Sequence, residues 1–176
     1  RNHEHAIWRA QTGLITPGRP TLGAWAAYGL GTGNQNFPAY VALPDPAGHS
    51  VDGVRNRPSG WLPPVYQGTA FRSEGTPVLN LRPPIEKARS IRSSKLDLLR
   101  SLNAGHKQRH PRELDLDARI TNLELAARMQ LAATEAMDIT RETSATHAMY
   151  GIDKGVTASY AKRCLMARRL AERGVR

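Results

Sequence analysis

His3 and His5 flank Glu4 near the start of this 176-residue chain, and Asn2 stands beside them. Imidazole nitrogens and an amide oxygen can hold a divalent cation or touch a bound anion. A solvated pair of histidines is the plainer alternative, and spacing alone does not separate the two. Arg19 lies between Gly18 and Pro20, at the expected start of a helix. Free N–H groups and a guanidinium there can receive an anion, although pairing with a surface carboxylate is the more usual employment of such an arginine. His106 and His110 are four apart, which suits two ligands on one helical face. Pro111 follows directly and no third ligand is near, which favours a loop surface. Asn34, Gln35 and Asn36 form an amide run whose ordinary task is to cap a turn. The single cysteine, Cys164, excludes an internal disulfide and a Cys-based zinc site, and its place in the last helix favours a buried thiol.

These residues depend on a helix-rich framework. The segment 1–11 has a helical pattern, and Thr12-Gly13 closes it. Pro20 suits the first position of a second helix running to Tyr28. Gly-Leu-Gly ends that helix, and the apolar run 39–43 between two prolines is the best strand. From Pro44 to Pro84 the chain is rich in Pro, Gly, Ser and Asn, with Trp61, Leu62, Val65, Tyr66 and Phe71 as apolar anchors and a possible short strand at 78–81. The second half is helical. Ser94 and Asp97 have the spacing of a capping box. Leu116, Ile120, Leu123, Ala127 and Leu131 form one apolar stripe, and Tyr160, Cys164, Ala167 and Ala171 form another. Breaks are expected at 105–111 and 144–155.

Helix, glycine turn, then buried-type strand is the order of an α/β layered protein. The expected fold is therefore an α/β piece, mostly helical, with one or two short strands and a long ordered loop. It divides into a helix-helix-strand core (1–46), the loop (47–84) and a helical part (85–176). The α/β block begins almost at residue 1, and Gly174 caps a helix just before the last residue, so a single partial domain truncated at both ends is expected.

Composition bounds the function. The net charge is +10, and it is concentrated between Arg82 and Arg112, where nine Lys/Arg face only Glu86 and Asp97. Such a patch attracts nucleic acid, anionic polysaccharide or a membrane surface, while a solvated helix face is the plainer reading. The same segment has no Phe, Tyr or Trp, which disfavours single-strand nucleic-acid binding. No run is apolar enough to span a membrane.

Several blocks together carry a resemblance. They are NHEHA (2–6), TGLITPGRPTLGAW (12–25), YGLGTGNQNFPAYVALPDP (28–46), SGWLPPVYQGTAFRSEGTPVLNLRPP (59–84), LDARITNLELAARMQ (116–130) and YAKRCLMARRLAERGVR (160–176). In this order they resemble an interior piece of the DUF1501 family, a group of sulfatase-like proteins related to the alkaline phosphatase superfamily. The resemblance implies an alkaline-phosphatase-like layered sheet. It also implies an exported hydrolase that holds Zn, Mn, Mg or Ca with Asp and His and attacks a phosphate or sulfate ester. Most metal-binding motifs of that superfamily lie outside the blocks matched here. Sulfatases carry Cys-x-Pro-Ser-Arg ahead of a Thr-Gly. Counting back in the same way from Thr12 lands on His3, with no Cys, Ser or Pro-Ser-Arg present, so sulfatase chemistry is in doubt. Asn2, His3 and Arg19 are left as the substrate-proximal candidates, and His3 as the candidate metal ligand.

Three function classes follow. The first is a segment of a metal-dependent ester hydrolase, inactive when isolated. The second is a non-catalytic binder of anionic polysaccharide, and the third a basic nucleic-acid-binding module.

Overall fold

Helix α1 (His3–Thr12) stops where Thr-Gly predicts: Gly13 is left-handed at φ 81°, and its N–H reaches the Arg9 carbonyl at 2.9 Å. The computed structural model describes residues 3–45, 53–72, 75, 78 and 89–175. Helix α2 (Leu22–Leu30) starts two residues later than its proline suggests. Thr21 is the N-cap, its hydroxyl accepting from the Ala24 N–H at 3.4 Å, and Pro20 lies outside the helix, fully buried. Gly31 closes α2 at φ 62°, its N–H bonded to the Ala27 carbonyl at 3.0 Å.

Strand β1 (Val41–Ala42) is shorter than the apolar run that contains it, and it is only half-buried. Its partner is not the segment near Val78 but β2 (Thr69–Ala70), paired in parallel with Val41 opposite Thr69 and Ala42 opposite Ala70. Thr69 N–H donates to the Tyr40 carbonyl at 3.0 Å and Phe71 N–H to the Ala42 carbonyl at 2.9 Å. A parallel pair needs a crossover connection. Here the described part of that connection carries two 3-10 turns, Gly53–Asn56 and Pro64–Tyr66. Val78 is a half-buried bend packed on the core, and 79–81 lie outside the described residues.

Helix α3 (Arg89–Arg109) runs through Ser94 and Gly105, so there is no helix start at Ser94 and the expected break begins five residues later than Gly105. The turn comes at 110–113, where Pro111 forbids continuation. Helix α4 (Leu114–Ala136) folds back on α3. Lys107–Asp117 at 2.7 Å and Arg100–Glu124 at 3.1 Å step along the two helices in opposite senses, as an antiparallel hairpin requires. Both pairs are exposed and add little stability. Two short elements follow, a 3-10 turn Ile139–Arg141 and helix α5 (Ser144–Tyr150), before helix α6 (Ala158–Ala171).

The core gathers Phe37, Phe71, Met129, Ala133, Ala136, Met137, Met166, Leu170 and Val175. It joins the turn after α2, the end of β2, the second half of α4 and the inner face of α6. Two expected stripes are corrected. On α4 the inward residues include Ala118, Leu125, Met129 and Ala133, while Leu123 is 68% exposed. On α6 they are Ala161, Leu165, Met166, Arg169 and Leu170, while Tyr160 is 68% exposed and Cys164 only half-buried. The described residues are mostly helical with two short parallel strands, which fits an α/β piece. Among them, no helix is long and apolar enough to cross a membrane.

Candidate binding groove

Asn2 lies outside the described residues. His3 is the exposed first residue of α1. His5 is also exposed and packs its ring on Trp8 at 5.7 Å. Arg19 is exposed, with its guanidinium 5.8 Å from the centre of the Trp61 ring. The rings of His106 and His110 lie 4.5 Å apart, and His110 Nδ1 is 3.5 Å from Glu113 Oε1. Among the described residues, no three His, Cys, Asp or Glu side chains converge as a metal centre would need.

Among the described residues, a concavity lies elsewhere, where α2, the Pro64–Tyr66 turn and α4 meet. A cavity of about 280 Å³ is walled by Tyr28, Gln35, Tyr66, Gln67, Asn122 and Arg128, among others. A second, of about 440 Å³, continues past Gln67, Thr69 and Asn122 to Asp115 and Arg119. The two share those three residues and lie side by side along one groove, and the second is within the size range of small-molecule sites, about 300–1,000 Å³.

Local folding explains the walls. Gly31 turns the chain out of α2, and Asn34 then organises the next turn, its Oδ1 accepting from the N–H groups of Asn36 (2.6 Å) and Phe37 (3.0 Å). The amide run thus caps a turn, as its composition suggests. Asn34 Nδ2 donates to the Arg173 carbonyl and Thr32 Oγ1 to the Gly174 carbonyl at 3.2 Å, so this wall is tied to the end of α6. On the opposite wall, Pro63 and Pro64 set the 3-10 turn that presents Tyr66 and Gln67. Arg128 Nε donates to the Gln35 carbonyl at 2.7 Å and ties α4 to the Asn34 turn.

A row of aromatic rings leads into the groove. Trp61 meets Trp25 at 6.3 Å, Trp25 meets Tyr28 at 6.1 Å, and Tyr28 meets Tyr66 at 5.3 Å, each edge to face. Arg19 stands over the outer end. The sequence-derived Arg19 and the groove are thus the two ends of one aromatic row.

The displaced ionisations serve ties between elements instead. Glu142 is held below its ordinary value by hydrogen bonds from Arg168 and Arg169, and Asp138 by the hydroxyl and N–H of Thr140. Arg168 is raised by Glu142 and Arg163 by Asp45. Buried Arg169 donates from Nε to the Ala136 carbonyl at 2.8 Å and from Nη2 to the Glu135 carbonyl at 3.0 Å, capping α4 from α6.

Sequence reasoning missed Tyr28, Gln67, Asn122 and Arg128. The turn signal Pro63-Pro64 before Tyr66-Gln67 was the only local hint of a wall.

No curated protein matches the chain, and no solved structure does. The sequence profile of one family, described as "Protein of unknown function (DUF1501)", matches residues 1–176. The chain therefore belongs to the DUF1501 family.

Proposed function

We propose that the protein carrying this chain is a sulfatase-like, metal-dependent hydrolase of phosphate or sulfate esters, exported and related to the alkaline phosphatase superfamily. In this reading the chain supplies the part that binds and orients the substrate body. The observation that carries it is the parallel β1–β2 pair, joined by a long crossover and packed against α4 and α6, the local grammar of a layered α/β hydrolase. The divalent metal that the resemblance implies does not fit the described residues, since they bring no three suitable side chains together. His3, Asn2 and Arg19 keep the role of contacts to the anionic ester. Turnover of chromogenic phosphate and sulfate esters by the full-length protein, with and without a chelator, tests the proposal. Chelator-sensitive hydrolysis supports it, and turnover that survives complete metal removal overturns it.

A second reading, a non-catalytic binder of anionic polysaccharide, is supported by the net charge of +10. It predicts heparin retention that falls with salt and no turnover of either ester.

A further inference from the structure

We propose that the groove between α2, the Pro64–Tyr66 turn and α4 is a binding site for uncharged sugar rings, a neutral oligosaccharide subsite. The inference does not rest on the hydrolase reading.

Charge is the first argument. An anion-selective site keeps a free guanidinium or ammonium aimed at the ligand. Here Arg128 spends its Nε on the Gln35 carbonyl and keeps a guanidinium nitrogen 4.0 Å from Glu124. At the far end Arg119 shares the wall with Asp115, opposite in sign. The charged residues lining the groove are Arg128, Arg119 and Asp115, a formal charge of +1 inside a chain of net charge +10, so most of the basic surplus lies elsewhere.

Hydrogen bonding is the second. Several backbone donors along the walls are already used: Gly31 on Ala27, Phe37 on Asn34, Gln67 on Pro64 and Thr69 on Tyr40. Strand addition by a peptide needs free backbone groups, and these four are not among them. What remains are the side-chain amides of Gln67 and Asn122 and the hydroxyl of Thr121, none bonded to another described residue. An amide offers two donors and one acceptor oxygen, which matches vicinal sugar hydroxyls that both donate and accept.

The rings are the third. Tyr28 is 52% exposed, and Trp61, 61% exposed, extends the row outward. An exposed aromatic face covers the apolar C–H face of a sugar ring while amides read its rim. The groove continues past the tyrosines through Gln67 and Asn122, so more than one sugar ring is accommodated.

The test is calorimetric titration of the full chain with neutral linear hexaoses of glucose, xylose, mannose and N-acetylglucosamine, together with a sulfated glycan and an unbiased peptide pool. Chelator is present throughout, so loss of hydrolase activity leaves the result readable. The expected result is sub-millimolar binding of at least one neutral hexaose, unchanged by salt. Tyr28→Ala and Asn122→Ala should each weaken it about tenfold while the melting temperature holds. Tyr28 and Asn122 are both exposed, so neither variant threatens folding. Binding of the sulfated glycan or a peptide alone, or of no probe, overturns the proposal. So does neutral-sugar binding that both variants leave intact.

Discussion

The ring of Tyr40 occupies the space beside Gly23, where an added Cβ would fall 2.5 Å from Cε2 and Cζ. Gly68 faces the same ring, with Cε1 at 2.7 Å from its own added Cβ. Tyr40 thereby locks α2 to the start of β2. Gly23→Ala should destabilise by about 1–3 kcal/mol through overpacking. Gly29, in the same helix, has nothing within 4 Å, so Gly29→Ala should stabilise by about 0.5–1 kcal/mol through lower unfolded-state entropy and better helix propensity. Urea unfolding of the two variants checks the contrast, and equal effects would refute the Tyr40 wedge.

Arg169 should be the costliest single side chain to remove from α6. Its truncation leaves the Ala136 carbonyl uncapped, takes one of two donors from the Glu135 carbonyl and leaves Glu142 short of a partner. Arg169→Ala should lose about 3 kcal/mol or more. Arg169→Lys should lose less but not recover wild type, because one ammonium cannot reproduce the fork. Chemical denaturation of both variants measures this ordering.

Acid should loosen the same joint. The folded carboxyl of Glu142 titrates below its ordinary 4.5, chiefly through the Arg168 hydrogen bond and then that from Arg169. A depressed folded value means the stabilisation is complete above the unfolded value and is lost as pH falls through the folded one. Asp138 acts in the same sense. Melting temperature should therefore decline below about pH 4.5, and Glu142→Gln should flatten part of that decline while lowering stability at neutral pH. A Glu142→Gln profile parallel to wild type at every pH would contradict the assignment.

The hydrolase reading makes a separate demand on the histidines. His3→Ala in the full-length protein should reduce ester turnover or metal content, whereas His106→Ala and His110→Ala should leave both unchanged. His106 and His110 lie at the tip of the α3–α4 hairpin, where His110 Nδ1 is 3.5 Å from Glu113 Oε1. Metal analysis and turnover of the three variants decide it, and the opposite pattern would move the site to the hairpin.

Punctuation and composition made part of this fold legible. Thr12-Gly13, Gly31 and the Asn34 turn sit where local chemistry places them, because each rests on a backbone conformation few residues tolerate. Helix faces were less legible. The inner face of α6 includes Arg169, whose guanidinium is neutralised by Glu142 only after folding, and that of α4 is built largely from alanines, which weight a periodic pattern weakly. β2 escaped notice because Thr69 and Ala70 carry almost no strand signal and pair only once the crossover places them. The groove was hidden because its walls come from three stretches far apart in sequence. Arg19 was visible as a candidate, but its aromatic row was not.

The tie between the Thr32–Asn34 turn and the Arg173–Gly174 carbonyls joins residues 142 and 139 positions apart. Loops of that span close late in folding, since their entropy must be spent before the contact gives anything back. One rim of the groove is therefore set only when α6 has docked. Loosening α6 by Arg169→Ala should speed hydrogen exchange at the Phe37 amide, on the far side of the core, before it disturbs the amides of α1.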